Sequence, residues 1–309
     1  MQTLDAAQLV KALPYKDLVE GLRKAFADGC SVPGRSVHDI QVPGSDDASL
    51  LLMPAWREGE HIGVKLVTVF PGNSDASVNA TYMLFDGTNG KLVAQLDGDE
   101  LTLRRTAAAS ALASSYLSRK DSRHLLMVGT GKLSKRLVEA HASVRPIDTV
   151  TVWGRNAENA ASVVNDLVSF NFDARVETDL QLATTRADII STATLASNPL
   201  VMGEWLQDGQ HLDLVGAFKP SMAEADGEAL RRASVFVDTR EGALAEAGEI
   251  IQAINKGFME ATDIMAELSQ LCTGETPGRV SDEEITLFKS CGTALEDLAA
   301  ARLAMENAE

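Results

Sequence analysis

One short segment constrains this chain more than any other. The strand-like run His124-Leu125-Leu126-Met127-Val128 passes directly into Gly129-Thr130-Gly131, and a helical pattern begins at Lys132. Glycines let a chain turn tightly and come close to a bound group, while the free N–H groups and dipole of the following helix favour a phosphate. The context makes this more than a glycine pair, because a second strand at 149–153 leads into a helix at 157–170. Further strand-like runs follow at 175–177, 188–192, 212–215 and 235–238. Strands alternating with helices predict a parallel α/β sheet. Ser134 takes the third position of the Gly-x-Gly-x-x-Gly pattern, where a small side chain still allows close helix–strand packing.

The turn therefore predicts a dinucleotide site, with Gly129, Thr130, Gly131, Lys132 and Leu133 along the pyrophosphate. A glycine turn with no ligand is the plainer alternative. Enzymes that use NAD place a carboxylate at the end of the second strand to bond the ribose hydroxyls. Here the chain reads Val152-Trp153-Gly154-Arg155-Asn156, with no carboxylate, and Arg155 can pair with a 2′-phosphate. NADPH/NADP is the expected cofactor, with NADH the weaker one and Asn156 beside Arg155. Arg155 as an ordinary solvated loop cation stays open. Beyond the fourth strand, Ser191-Thr192-Ala193-Thr194 offers small side chains where the nicotinamide ribose needs room.

The first third has a different pattern. Apolar residues at helical spacing (Leu9, Leu13, then Leu18, Leu22, Phe26) are interrupted by Pro14, which predicts two short helices. Runs at 49–56, 61–70, 80–86 and 91–97 read as strands, and Gly87-Thr88-Asn89-Gly90 suits a hairpin, so an antiparallel sheet is expected. An Ala-rich helix follows at 99–117, with Asp99 and Glu100 favourably placed near its start. The predicted fold class is α/β: a Rossmann-type dinucleotide-binding domain at 121–289, plus an α+β domain formed by 1–120 with 290–309. Composition excludes several classes. A net charge of -16 opposes nucleic-acid binding, and three scattered cysteines give neither a disulfide framework nor a zinc motif. With no signal-like or membrane-length apolar run, the chain reads as cytoplasmic, with no membrane partner and no metal.

Several motifs together resemble the ornithine cyclodeaminase and mu-crystallin family: Arg105-Thr106-Ala107-Ala108, the turn at Val128-Gly129-Thr130-Gly131, Val152-Trp153-Gly154-Arg155, Gly63-Val64-Lys65-Leu66-Val67 and Pro33-Gly34-Arg35. The resemblance spans nearly the whole chain and implies a homodimer in which the α+β unit, 1–120 with 290–309, is the substrate-binding and dimerisation domain. It also implies that Arg35, Lys65 and Arg105 hold a substrate carboxylate, with Thr81 as a neighbouring polar candidate. The residues support that chemistry independently. A lone ammonium within the apolar run around Lys65 would cost several kcal/mol without an anion beside it, and a substrate carboxylate is one such anion. Two alternatives stay open: Lys65 could alternate outward, and Arg104 could be the functional arginine. By the same resemblance, Val215 and Gly216, and Ser290 and Gly292 of Lys289-Ser290-Cys291-Gly292, lie near the cofactor. His38 is a candidate proton donor, equally readable as a loop histidine. Cys291 is not expected to act as a nucleophile.

One departure selects among the family's reactions. Its cyclodeaminases carry an Asp in a Gly-x-Asp-x-Pro-Gly-Lys stretch, whereas this chain reads Val215-Gly216-Ala217-Phe218-Lys219-Pro220, with Phe218 at the Asp position. Asp226 could substitute only if the loop folds back. The loop looks like that of family reductases acting on cyclic imino acids, which implies NADPH-dependent hydride transfer to the carbon of a C=N bond. Δ1-Pyrroline-2-carboxylate is the first expected substrate and Δ1-piperideine-2-carboxylate the second. Cyclodeaminase activity, alanine dehydrogenase activity and a non-enzymatic, crystallin-like NADPH-dependent binding role are the alternatives.

Overall fold

The protein is described by a computed structural model covering residues 1–71, 73 and 78–308. The chain opens with β1 (Gln2–Leu4), α1 (Ala6–Ala12), α2 (Tyr15–Asp28), β2 (Ser36–Ile40), β3 (Ala48–Arg57), β4 (His61–Val69), β5 (Val78–Asp86), β6 (Leu92–Asp97) and α3 (Gly98–Leu117). It continues through β7 (His124–Val128), α4 (Lys132–Val144), β8 (Thr149–Trp153), α5 (Ala157–Ser169), β9 (Asp173–Val176), α6 (Leu180–Arg186), β10 (Ile189–Thr192) and β11 (His211–Leu214). Last come α7 (Gly227–Arg232), β12 (Ser234–Val237), α8 (Arg240–Glu246), α9 (Gly248–Asn255), β13 (Ile264–Glu267), α10 (Leu268–Thr273), β14 (Thr286–Lys289) and α11 (Ala294–Asn307). The chain divides into two compact units, Met1–Thr106 with Thr293–Glu309, and Ala107–Gly292.

In the first unit a sheet of order β1-β6-β5-β4-β3-β2 carries α11 against β3 and β4, and α2 against α11. The helix breaks follow local chemistry. Asp5 and Gln8 form a capping box for α1, and Pro14, which supplies no N–H, stands at the N-cap of α2. Leu9, Leu13, Leu18, Leu22 and Phe26 are all buried, as their spacing predicts. The β5–β6 hairpin turns at Gly90 (φ +72°), with the Asp86 carboxylate accepting from the Thr88 N–H and hydroxyl. Two features differ from the sequence expectation. β1 joins β6 in parallel, so the sheet is not wholly antiparallel, and the exposed edge strand β2 lacks the apolar alternation that would have revealed it.

The second unit holds a fully parallel sheet of order β13-β12-β14-β11-β10-β7-β8-β9. From β7 the chain winds outward first through β8 and β9, then returns to the other side through β10 and β11. That reversal makes this a doubly wound, Rossmann-type sheet with its switch point between β7 and β10. The central strands are buried on both faces, and Leu126, Val128, Ile190, Leu212, Leu214 and Val237 form the centre of the core. The Ala-rich half of α3 belongs to this unit. Its last turn contains no basic residue, and its carbonyls are met by Arg145, bonded to Ser114 and Ser115, and by Arg279, bonded to Leu117.

Candidate active site

The glycine turn has the geometry of a dinucleotide cradle. Gly129 has φ +128°, and a Cβ there would lie 2.5 Å from the Ala193 carbonyl oxygen, so only glycine fits. At Gly131 a Cβ would meet nothing within 4 Å, and this residue caps α4 without any side-chain hydrogen bond. The N-terminus of a 13-residue helix thus presents backbone N–H groups to open space, as a pyrophosphate requires. Ser134 is fully buried and donates to the Gly129 carbonyl at 3.0 Å, which explains how it replaces the third glycine. Lys132 and Leu133 form the first turn of α4, with Lys132 exposed. Thr130 packs against Gly154, where a Cβ would come within 2.5 Å of the threonine methyl.

At the end of β8, Arg155 is exposed, with no acidic partner among the described residues. The side-chain oxygen of Asn156 caps α5, accepting from the N–H groups of Glu158 and Asn159. Asn156 therefore uses its acceptor within the fold, leaving Arg155 as the cation of this bend.

On the other side of the switch point, the strand-end loops are tied by buried carboxylates that the sequence reading did not single out. Glu224 bonds Thr194 and Gly216. Asp238 Oδ2 accepts from the N–H groups of Cys291 (2.7 Å) and Gly292 (2.6 Å) and from the Ser290 hydroxyl (3.4 Å), and its Oδ1 accepts from the Thr239 N–H. Burial pushes the Asp238 carboxyl above the usual range, and these backbone donors offset it only in part. Thr192 is buried, Ala193 and Val215 are half-buried, and all three directly follow or end the central strands. Burial pushes the Cys291 thiol far up, consistent with its exclusion as a nucleophile.

In the first unit Lys65 and Arg105 are brought together, but not around an empty anion site. Lys65 faces inward, 3% exposed, and its ammonium lies 2.7 Å from Asp297 Oδ2 on α11. Arg105 Nε reaches Asp297 Oδ1 at 2.9 Å, and its Nη1 reaches Glu296 at 2.6 Å. The compensating anion expected from a substrate is thus already supplied by the protein. Burial draws the Lys65 ammonium below the usual lysine value, with Asp297 opposing. Burial would also depress Arg105, but Asp297 and Glu296 outweigh it and hold the guanidinium firmly charged. Neither acid was legible beforehand, because Glu296 and Asp297 read as ordinary favourable charges in the first turn of a helix.

Arg104 does not join the Lys65–Arg105 cluster. Its Nε donates to the Leu13 carbonyl at 2.9 Å and its guanidinium lies over the Tyr15 ring, so it joins α3 to the α1–α2 junction. Thr81 needs a correction. It pairs with Leu66, whereas Lys65 pairs with Tyr82, so strand alternation directs Thr81 to the opposite face of the sheet from Lys65. The hydroxyl near Lys65 is that of Thr102, at 3.5 Å. His38 lies exposed on β2, not in a loop, and Arg35 is exposed just before that strand. Phe218 is 45% exposed beyond β11. Asp226 caps α7, accepting from Ala229 and Gly203 N–H groups, so its carboxylate is committed and does not replace the missing cyclodeaminase Asp.

The chain is similar along its length to several known proteins. A Δ1-pyrroline-2-carboxylate reductase of Paracoccus denitrificans is 37% identical over 301 residues, covering 96% of this chain and 94% of the relative. The structure of Thermococcus litoralis Δ1-pyrroline-2-carboxylate reductase in complex with NADH and L-proline superposes with a TM-score of 0.92 at 33% identity, covering 100% of this chain and 97% of that one. An archaeal alanine dehydrogenase dimer with bound NAD gives 0.90 at 30% identity, covering 100% and 96%. The family profile matches residues 8–309, and the chain belongs to the ornithine cyclodeaminase/mu-crystallin family.

Proposed function

We propose that this protein is a nicotinamide-dependent imine reductase that converts cyclic imino acids to cyclic amino acids, with Δ1-pyrroline-2-carboxylate giving L-proline as the leading reaction and the six-membered homologue a second. The observation that carries the reading is the loop after β11, where Phe218 stands at the position of the cyclodeaminase carboxylate and Asp226 is used as a helix cap. The relatives named for the same reaction support it. Reduced nicotinamide, when bound, supplies the hydride for the imine carbon. The protein's own contribution is to hold and orient.

The substrate carboxylate is assigned to Lys65, Arg105 and Arg35. Asp297 and Glu296 engage Nε and Nη1 of Arg105, which leaves Nη2 as the guanidinium donor without a partner among the described residues. Lys65, paired to Asp297, keeps further N–H donors. Two donors on one rigid base suit a planar carboxylate, and such orientation carries much of the rate in a reaction of this kind. The imine nitrogen brings its proton as an iminium or receives it through His38. Gly129, Thr130, Gly131, Lys132 and Leu133 hold the pyrophosphate, and Arg155 the adenosine 2′-phosphate, which makes NADPH the preferred cofactor. A homodimer belongs to the same reading, supported by the dimeric alanine dehydrogenase relative. No helix of the described residues is long and apolar enough to cross a membrane, and three free cysteines support a cytoplasmic setting.

Purified protein mixed with Δ1-pyrroline-2-carboxylate is expected to consume NADPH faster than NADH and to form L-proline. Cofactor binding without consumption would overturn the assignment in favour of a binding protein, and release of ammonia and proline from ornithine would overturn it in favour of a cyclodeaminase. Arg155→Asp is expected to weaken NADPH about 10-fold or more, the worth of one or two charge-assisted bonds, with little effect on NADH. Equal loss of both would remove Arg155 from the 2′-phosphate.

A further inference from the structure

The loops that follow β10 and β11 are joined by one side chain. Glu224 is fully buried. Its Oε1 accepts from the Thr194 N–H at 2.6 Å and the Thr194 hydroxyl at 2.8 Å, while its Oε2 accepts from the Gly216 N–H at 2.6 Å. The backbone that carries it is equally fixed. The Glu224 carbonyl accepts from the N–H groups of Leu200 and Val201, and Ala225 forms a bridge with Val201. The two loops touch so closely that a Cβ on Gly216 would lie 2.1 Å from the Thr194 carbonyl oxygen. On the opposite flank, Gly129 allows the glycine turn the same close approach to Ala193.

A doubly wound sheet binds its dinucleotide across the switch point, with the adenosine ribose at the end of the second strand and the pyrophosphate at the first helix. In this sheet those places are β8 and α4. The nicotinamide half then falls over the ends of β10 and β11, which are the loops that Glu224 joins.

We propose that Glu224 is a positioning residue for the nicotinamide half of the cofactor, its two carboxylate oxygens locking the Thr194 and Gly216 loops into one rigid surface. The proposal rests on the dinucleotide reading given above. A buried carboxylate is a demanding way to join two loops, since a charge taken from water needs full compensation. It also has a property no neutral side chain shares, because both of its ends accept. Glutamine has the same shape but not the same bonds. If its carbonyl stays on Thr194, its NH2 group faces the Gly216 N–H, donor against donor. The Gly216 loop must then move, and misplacement by about 1 Å can cost on the order of 100-fold in rate. Folding should tolerate the change, because Glu249, raised mainly by burial and further by the charge of Glu224, loses a repulsive neighbour.

The test titrates wild type and Glu224→Gln with NADPH and NADH and with their adenine halves, 2′,5′-ADP and ADP, and measures the primary deuterium isotope effect on kcat with 4-deuterated cofactor. In the variant the dinucleotide Kd is expected to rise about 10-fold, the worth of one charge-assisted hydrogen bond, while the half-dinucleotide Kd stays within about twofold. The isotope effect on kcat should increase. Thr194→Val, which loses the hydroxyl but keeps the N–H, should shift the same quantities less. Equal weakening of whole and half dinucleotides would reduce Glu224 to a general structural role, and unchanged affinity and isotope effect would remove it from cofactor positioning. Wild type that binds neither dinucleotide would overturn the underlying cofactor reading instead.

Discussion

Two clusters of buried carboxylates, one in each unit, are compensated in opposite ways. In the first, Asp297 and Glu296 are answered by the full charges of Lys65 and Arg105. In the second, Glu224 and Asp238 are answered chiefly by backbone N–H groups of the loops they hold. The protonation balance follows. Burial alone would raise both aspartates, yet Arg105 and Lys65 draw the Asp297 carboxyl below its usual value, whereas the partial charges around Asp238 leave it raised. Side-chain cations suit a place where a charged ligand is to be met by charge. Backbone donors suit a place where loop shape is what must be fixed.

The largest expected effect breaks the first arrangement. Asp297→Ala strands Lys65 and leaves Arg105 with Glu296 alone, and should lower stability to urea by about 3–5 kcal/mol, as expected when one partner of a buried pair is removed. A loss below about 1 kcal/mol would mean that Lys65 and Arg105 are solvated or repaired elsewhere. Asp238→Ala leaves the Cys291 and Gly292 N–H groups without their acceptor and should cost less, about 1–3 kcal/mol by the same melt. A loss larger than that of Asp297→Ala would dissolve the contrast.

Acid sharpens it through sign. Asp297, depressed in the folded state, contributes stability that is present above its unfolded value and is lost as pH falls through the folded one. Asp238, raised, works the other way: protonation favours the folded state, so its unfavourable contribution grows as pH rises from the unfolded towards the folded value. Asp297→Asn should therefore flatten the loss of stability below about pH 4, and Asp238→Asn should remove a stabilising contribution that acid otherwise brings. Stability measured across pH 3 to 7 checks both, and slopes of the same sign would refute the distinction. The smallest effect concerns the glycine turn. Ser134→Ala deletes one buried hydrogen bond to Gly129 and should cost about 1 kcal/mol with the dinucleotide Kd nearly unchanged.

Much of the second unit was legible because its signals are local. Gly129 must be glycine for a reason the strand–turn–helix pattern already contains, and Arg155 sits at a fixed offset from a strand end. Lys65 was legible as a problem, since an ammonium in an apolar run requires an answer. The answer was not, because Asp297 is more than 200 residues away and only the packing of α11 onto β4 brings the two together. Thr81 failed for a related reason. The family resemblance suggested it as a neighbour of Lys65, while the strand register assigns the two side chains to opposite faces. Glu224 was passed over because nothing in the run Ser221-Met222-Ala223-Glu224 marks a glutamate whose partners lie on two different loops.

The sequence alone determined the parallel α/β sheet and the dinucleotide turn, both written in spacings of a few residues, and its resemblance to the family marked Phe218 where cyclodeaminases carry an acid. The tertiary structure decided how the buried charges are balanced and which loops are fixed to which. Those outcomes depend on desolvation and on contacts between distant segments, and a buried charge has no energetic meaning until the fold has removed its water and supplied its partner.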